Sequence, residues 1–199
     1  MCGRYHVRSE DLEKLMLLLG SMGIPFANNA DDVWPVRMLE TDVHPSEDAC
    51  VLTASGGGVA FARQKWGFPD VHGGLLINAR TETALHKPRF SDSVSRHRIV
   101  VPASWFYEWN RSKEKYTFAH KDGHLLYLAG CYSNFNGQES FVILTTEANS
   151  SVGAVHPRMP LVLEREELMP WLTNGSAATR LLGKRPKPLQ ILSGQNSIF

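Results

Sequence analysis

Cysteine is scarce in this 199-residue chain: three in all, at positions 2, 50 and 131, with no C-x-x-C pair. An odd, widely spaced set excludes a disulfide framework and argues against structural zinc. No run of eighteen consecutive apolar residues occurs, so no segment reads as a membrane-spanning helix. The amino terminus, Met1-Cys2-Gly3-Arg4, turns polar at Ser9-Glu10-Asp11 and lacks the apolar stretch of a secretory signal, so a cytoplasmic location is expected. A basic excess is missing as well: 21 Lys and Arg face 20 Asp and Glu, for a net charge of +1. Proteins that coat duplex DNA carry a broad positive surface. Any anionic partner must here be met by a local patch. Of the eight histidines, His120 and His124 are four apart, but Lys121-Asp122-Gly123 between them reads as a hairpin turn. No metal site and no cofactor are expected.

What is present is the composition of an ordinary globular chain, 43% hydrophobic and 21% charged, long enough to bury one real core. Residues 1–199 are read as a single domain. Ser9 to Gly20 is predicted to be a helix, capped by Ser9 and ended by Gly20, with Leu12, Leu15, Met16 and Leu19 as its buried stripe. Asn28 to Asp48 reads as loop. Beyond it β-branched and aromatic runs predict strands at 59–68, 98–101, 116–120, 125–132 and 140–146. Glu164 to Leu172, interrupted by Pro170, and Ser176 to Leu182 read as helices. Lys184 to Lys187 reads as a basic surface segment. The fold class expected is α+β, with a mostly antiparallel, barrel-like sheet and peripheral helices.

Three features carry chemistry. Cys2 becomes the first residue once Met1 is removed, and then holds an α-amine with a pKa of about 8 beside a thiol of about 8.5. An amine and a thiol two carbons apart condense with an aldehyde, first to an imine and then to a five-membered thiazolidine. The alternative is that position 2 is cysteine by accident. Cys50 and Cys131 lie in apolar runs and read as buried and inert. Glu108 stands in Trp105-Phe106-Tyr107-Glu108-Trp109 with no neighbouring charge. It is either the outward residue of an alternating strand or a desolvated carboxyl with a raised pKa, suited to general acid–base work. His156, in Val155-His156-Pro157-Arg158-Met159-Pro160, is either an exposed loop histidine or a group positioned by its prolines.

Cys2, Asn78 and His156 are each followed two residues later by an arginine: Arg4, Arg80 and Arg158. In an extended chain, i and i+2 share a face. Arginine recognises phosphate bidentately, so these three suggest a local anion site. Trp66, Trp105 and Trp109 are either core or stacking surfaces for exposed bases.

Five segments in order resemble the signature of the SOS-response-associated peptidase (SRAP) family. They are Met1-Cys2-Gly3-Arg4, Trp66-Gly67-Phe68-Pro69, Asn78-Ala79-Arg80-Thr81-Glu82-Thr83, Phe106-Tyr107-Glu108-Trp109, and Thr145-Thr146-Glu147-Ala148-Asn149 through His156-Pro157-Arg158-Met159-Pro160. The resemblance implies recognition of abasic sites in single-stranded DNA and a covalent thiazolidine link from Cys2 to the ring-opened sugar aldehyde. It also implies a proposed autoproteolytic activity that frees Cys2. It makes Cys2 the nucleophile, Asn78 an orienting group, Glu108 a proton shuttle and His156 an acid–base partner in sugar ring opening. Arg4, Arg80 and Arg158 would hold phosphates, with Trp66 and Thr146 lining the DNA groove. The chain departs from the family pattern at Ile99, where relatives carry cysteine, and at Trp105, where they carry glycine. A third departure is Val33-Trp34-Pro35-Val36, where a Tyr-Asn pair is usual. Trp105 is expected to crowd the backbone approach that a glycine permits. The protein is expected to act as a monomer.

Two rival readings use the same residues. Glutamine amidotransferases also begin Met-Cys-Gly and use the α-amine as base. They need a His-Asn-Gly segment, of which His72-Gly73-Gly74 is a poor copy. A non-covalent single-strand-binding module would need only the arginines and tryptophans, and its binding would be salt-sensitive and indifferent to Cys2.

Overall fold

The computed structural model describes residues 2–25 and 41–194. Strand β1 (Tyr5–Val7) runs directly into helix α1 (Ser9–Ser21). Leu12, Leu15 and Leu19 are buried as the stripe predicts, with Met16 at its margin. The cap differs from expectation, because Arg8 occupies the N-cap without a side-chain bond. The first turn is held instead by buried Asp11, which accepts from Arg8 Nε at 2.8 Å and from Ser104 Oγ at 2.6 Å. Gly20 stays within the helix, and the chain reverses at Gly23, where φ is +68°.

The predicted 28–48 loop, up to residue 40 and including Val33-Trp34-Pro35-Val36, lies outside the described residues. Its remainder is not all loop, since β2 (Thr41–Val43) pairs antiparallel with β1 and sets Asp42 opposite His6. β3 (Asp48–Ser55) and β4 (Gly58–Trp66) form a hairpin around Gly56-Gly57, at φ +54° and +83°. A two-residue turn that matches strand twist requires positive φ at both central positions, which glycine supplies without strain. The two-residue strands β5 (Phe68–Pro69) and β6 (Leu75–Leu76) make a second small hairpin. Then come β7 (Asn78–Arg80), the short helix α2 (Thr81–Ala84), and α3 (Pro88–Arg96).

The remaining strands are β8 (Arg98–Ala103), β9 (Trp105–Trp109), β10 (Lys115–Ala119), β11 (Leu126–Phe135), β12 (Gln138–Glu147), β13 (Arg158–Pro160) and β14 (Val162–Leu163). The chain finishes with α4 (Leu168–Thr173), α5 (Gly175–Leu182) and β15 (Gln190–Gly194). The predicted break at Pro170 falls earlier, where the 3-10 turn Arg165–Glu167 gives way to α4. Pro170 sits in the first turn of α4, where a missing N–H costs no helical bond. The basic tail is tied down: Lys187 Nζ reaches Glu164 Oε2 at 2.8 Å, Lys184 pairs with Glu167, and Pro186 is buried.

Five strands close on themselves in the order β4-β3-β8-β11-β12, with a parallel contact of β12 to β4 completing the ring. Every residue of β8 is buried, because one face looks into the barrel and the other is covered. A second sheet, β15-β10-β9-β1-β2, lies beside the barrel. The fold is therefore the expected α+β single domain with a largely antiparallel barrel. One local prediction fails. Residues 121–123 do turn, with Gly123 N donating to His120 O at 3.1 Å, but β10 and β11 belong to different sheets and are no hairpin. Among the described residues no helix is long and apolar enough to cross a membrane.

Arg98 joins helices to barrel. It is buried, and its guanidinium donates to Trp171 O at 2.6 Å, Val94 O at 3.1 Å and Leu172 O at 3.4 Å, and also to Ser95 O. These are the carbonyls at the C-terminal ends of α3 and α4, where backbone acceptors lack helical partners and the dipole is negative. Arg98→Met is expected to cost about 3 kcal/mol, by stranding several buried acceptors. Thermal unfolding should register that as a fall in Tm of roughly 6–12 °C.

Candidate active site

β9 builds the floor of the site, and its alternation sorts its side chains. Phe106 and Glu108 point inward and are buried, whereas Trp105 and Trp109 stay partly exposed on the other face. β1 pairs with β9, Tyr5 against Phe106, and Tyr107 N donates to Arg4 O at 3.0 Å. That register, continued toward the amino terminus, brings Gly3 level with Glu108 and Cys2 just beyond. Cys2 is fully buried, with Sγ 3.9 Å from Arg4 O. Asn78, entering on β7, donates from Nδ2 to Cys2 O at 2.9 Å. The Asn78 Oδ1 atom is buried with no hydrogen-bond partner among the described residues.

His156 arrives on a turn between β12 and β13, with Nδ1 3.9 Å from Glu108 Oε1. The prolines expected to fix it play a smaller part than Asn149. The Asn149 Oδ1 accepts from Ser151 N at 3.0 Å, Ser151 Oγ at 2.6 Å and Val152 N at 3.3 Å. Its Nδ2 donates to Pro186 O at 3.0 Å and Lys187 O at 2.8 Å, and His156 N reaches back to Val152 O at 3.0 Å. One buried amide thus pins the histidine turn to the C-terminal tail. Cys2, Asn78, Glu108 and His156, from four separate elements, are brought to one place.

The electrostatics favour proton transfer at that place. Burial raises the pKa of Glu108 above the ordinary carboxylate range, against the opposing pull of His156. The Cys2 thiol is raised too, first by burial and then by the charge of Glu108. The thiol is therefore held neutral and needs a base in contact before it can add to anything. Cys50, half-buried, and Cys131, fully buried, are raised by burial alone and lie in barrel strands, as inert cysteines should.

The other expected site residues divide. Trp66 does not line a groove: it is fully buried, 5.3 Å from the Tyr5 ring, with Nε1 donating to Ile77 O at 3.0 Å. It is a core residue beneath the site, because β4 ends by turning into the barrel seam. Thr146 is also buried, on β12 opposite Met159. Arg158 spends its fork on Glu82, at 2.6 and 2.9 Å, and on Thr145 O at 2.5 Å. Arg4 is bound to Asp42, with Nε to Oδ2 at 2.9 Å. Arg80 is exposed and has no ion pair among the described residues. The i, i+2 pattern thus places three arginines around the site but leaves one of them unpaired.

Trp105 does not crowd the site, since it lies on the outer face of β9 stacked on His6 at 4.2 Å and 2°. Ile99 fills the barrel against Gly130 and is away from the reacting groups. Of the three tryptophans, Trp109 is the one left for stacking. It is 37% exposed and lines a cleft of about 690 Å³ with Asn110, Arg111, Ser112 and the turn from Gly153 to Pro157, His156 included. Sequence reasoning missed Arg111 and Asn110. Their signal was weak, a polar turn directly after the aromatic strand. It also missed Asp42 and Glu82, which sit 38 and 76 residues from their arginines.

The family model for SOS response associated peptidase (SRAP) matches residues 1–192. Abasic site processing protein YoqW of Bacillus subtilis is 30% identical over 146 residues, 66% of this chain and 65% of that protein. YoaM of the same organism, also described as an abasic site processing protein, is 30% identical over 146 residues, 66% of this chain and 64% of its own. The match thus spans just under two thirds of the length of these relatives. A crystal structure of a Bacteroides thetaiotaomicron protein superimposes with a TM-score of 0.71 at 22% identity, covering 91% of this chain and 86% of that one.

Proposed function

The chain belongs to the SOS response associated peptidase (SRAP) family, and from that premise we propose that it captures abasic sites in single-stranded DNA as a covalent adduct of Cys2. The observation that carries this reading is the meeting of Cys2, Asn78, Glu108 and His156 at the start of β1. The relatives named as abasic site processing proteins support it.

The steps follow from what each group can do once Met1 is removed. An abasic deoxyribose opens to its aldehyde when the C1′ hydroxyl loses a proton, the C1′–O4′ bond breaks and O4′ gains a proton, transfers for which His156 is the candidate acid–base group. The Cys2 amine adds to the aldehyde carbon. Glu108, whose pKa burial raises, then donates the proton with which the carbinolamine oxygen leaves as water. The resulting imine is polarised for attack by sulfur. The carboxylate left on Glu108 accepts the thiol proton as the C–S bond forms, and the iminium nitrogen, which has kept its N–H, becomes the neutral ring amine. The sum is aldehyde plus aminothiol giving thiazolidine plus one water. Asn78 holds the Cys2 carbonyl and keeps its own Oδ1 for the incoming sugar or amine. Arg80 and Arg111 would meet flanking phosphates, and Trp109 a neighbouring base. Single-stranded DNA suits the site, because the missing base leaves the sugar accessible without a flipping cost. We further propose that the chain releases its own Met1, works as a monomer, and acts in the cytoplasm on exposed DNA. The ring-opening and imine steps are lyase-type chemistry.

The amidotransferase reading has less support, since His72-Gly73-Gly74 forms the exposed turn of the β5–β6 hairpin. Intact-protein mass spectrometry with an oligonucleotide carrying one abasic site tests the proposal. The expected product is protein lacking Met1 plus oligonucleotide less one water, stable to heat without borohydride. Protein already lacking Met1 that binds the strand but gives no adduct would leave the non-covalent module as the better reading.

A further inference from the structure

Asp42 is an acid where a DNA groove should have none. From β2 it faces β1 and β9 and gathers their polar groups onto one carboxylate. Oδ2 accepts Arg4 Nε at 2.9 Å and a second guanidinium nitrogen of Arg4. Oδ1 accepts His6 Nδ1 at 2.8 Å and Tyr107 OH at 2.9 Å. The Tyr107 hydroxyl in turn accepts Trp105 Nε1 at 2.8 Å, and the Arg4 guanidinium lies 5.1 Å over the Tyr107 ring. Arg4, two residues from Cys2, therefore has Nε and one terminal nitrogen committed to Asp42 in the absence of DNA. The pair is not sealed, because the side chains are 31% and 22% exposed.

We propose that Asp42 is a built-in counter-anion that competes with DNA phosphate for Arg4 and so sets the strand affinity of the site. This rests on the single-stranded DNA reading above. A guanidinium fork offers the same geometry to carboxylate and phosphate, so a strand can take the Nε edge of Arg4 only by exchange. The exchange has a signature. A phosphate meeting an unpaired arginine releases a condensed counterion, which steepens the salt dependence by about 0.7 in log K per contact on single strands. When Arg4 is taken from Asp42, the carboxylate it leaves recruits a cation, and the two ion movements nearly cancel.

The test is the slope of log K against log salt for an undamaged single-stranded oligonucleotide. Asp42→Asn is expected to tighten binding about three- to tenfold at low salt and to steepen the slope by about 0.7. Asp48→Asn, which removes a carboxylate from an arginine elsewhere, Arg63, should leave the slope as it was. In the unmodified protein Arg4→Gln should leave the slope unchanged, whereas Arg80→Gln should flatten it by about 0.7, a contrast that does not depend on Asp42→Asn folding well. Asp42→Asn and Asp48→Asn acting alike, or Arg4→Gln flattening the slope as Arg80→Gln does, would overturn the inference while leaving DNA binding intact. No binding by any variant would overturn the DNA reading and this inference with it.

Discussion

Cys2→Ala should abolish the heat-stable adduct with abasic single-stranded DNA while leaving the fold and the non-covalent affinity in place. The expected loss is at least a thousandfold in adduct yield, because no other group on the chain offers an amine and a thiol on one residue. Alanine keeps the α-amine, so the imine can still form and borohydride should trap it. The combination of no spontaneous adduct and a trappable one would isolate ring closure as the sulfur's task. The side chain is small and fully buried, and alanine leaves a cavity of a single sulfur atom, so the Tm should move by only a few degrees. If Cys2→Ala gave as much heat-stable adduct as the unmodified chain, the Cys2 thiazolidine reading would fall, since the linkage would then come from another residue.

Glu108→Gln should slow adduct formation by about 10²- to 10⁴-fold, the range for a lost general acid–base group. The same change should stabilise the protein at neutral pH. Burial raises the folded pKa of Glu108 above its unfolded value, so its protonated form is the one the fold favours. Stability from this group is complete at acidic pH and is lost as pH rises through the folded pKa. Glutamine removes that penalty. The Tm difference between variant and parent should therefore grow as pH rises above the ordinary carboxylate pKa of about 4.3, and it should vanish at low pH. Rate and stability moving in opposite directions would mark a carboxyl kept for chemistry. Equal rates in the two proteins would remove Glu108 from the mechanism.

The sequence was most legible where one physical cause dominates. Helix α1 announces itself through Leu12, Leu15 and Leu19, and strand β8 through the run Ile99-Val100-Val101, because burial on both faces demands it. Helix α3 was invisible. Its nine residues include three serines, and its inward residues are Phe90, Ser93 and Val94, too sparse for a stripe. Strand β3 was missed because its apolar run, Ala49-Cys50-Val51-Leu52, is only four residues long and does not by itself separate strand from helix. β15 follows a proline-rich basic tail and is a strand because the free edge of β10 pairs with it. Among the site residues, Cys2, Glu108 and His156 stood out through unusual chemistry in unusual places. What could not be read was charge pairing across long separations. An arginine two residues from a nucleophile looks like a phosphate ligand until Asp42 or Glu82 is found against it. Burial of Trp66 was equally hidden, since a tryptophan before Gly-Phe-Pro is as consistent with a platform as with a core.

Odd and even positions of β9 lead separate lives. Glu108 and Phe106 belong to the interior, whereas Trp109 lines the cleft and Trp105 is stacked on His6. On the proposed function, a change at Trp109 would alter what the protein holds, and one at Glu108 would alter what it can do to it. Trp105 in place of glycine is spent on His6 and Tyr107 without disturbing the acid behind it. Grip and reactivity can therefore drift apart over evolutionary time, or be engineered apart, along one five-residue stretch of chain.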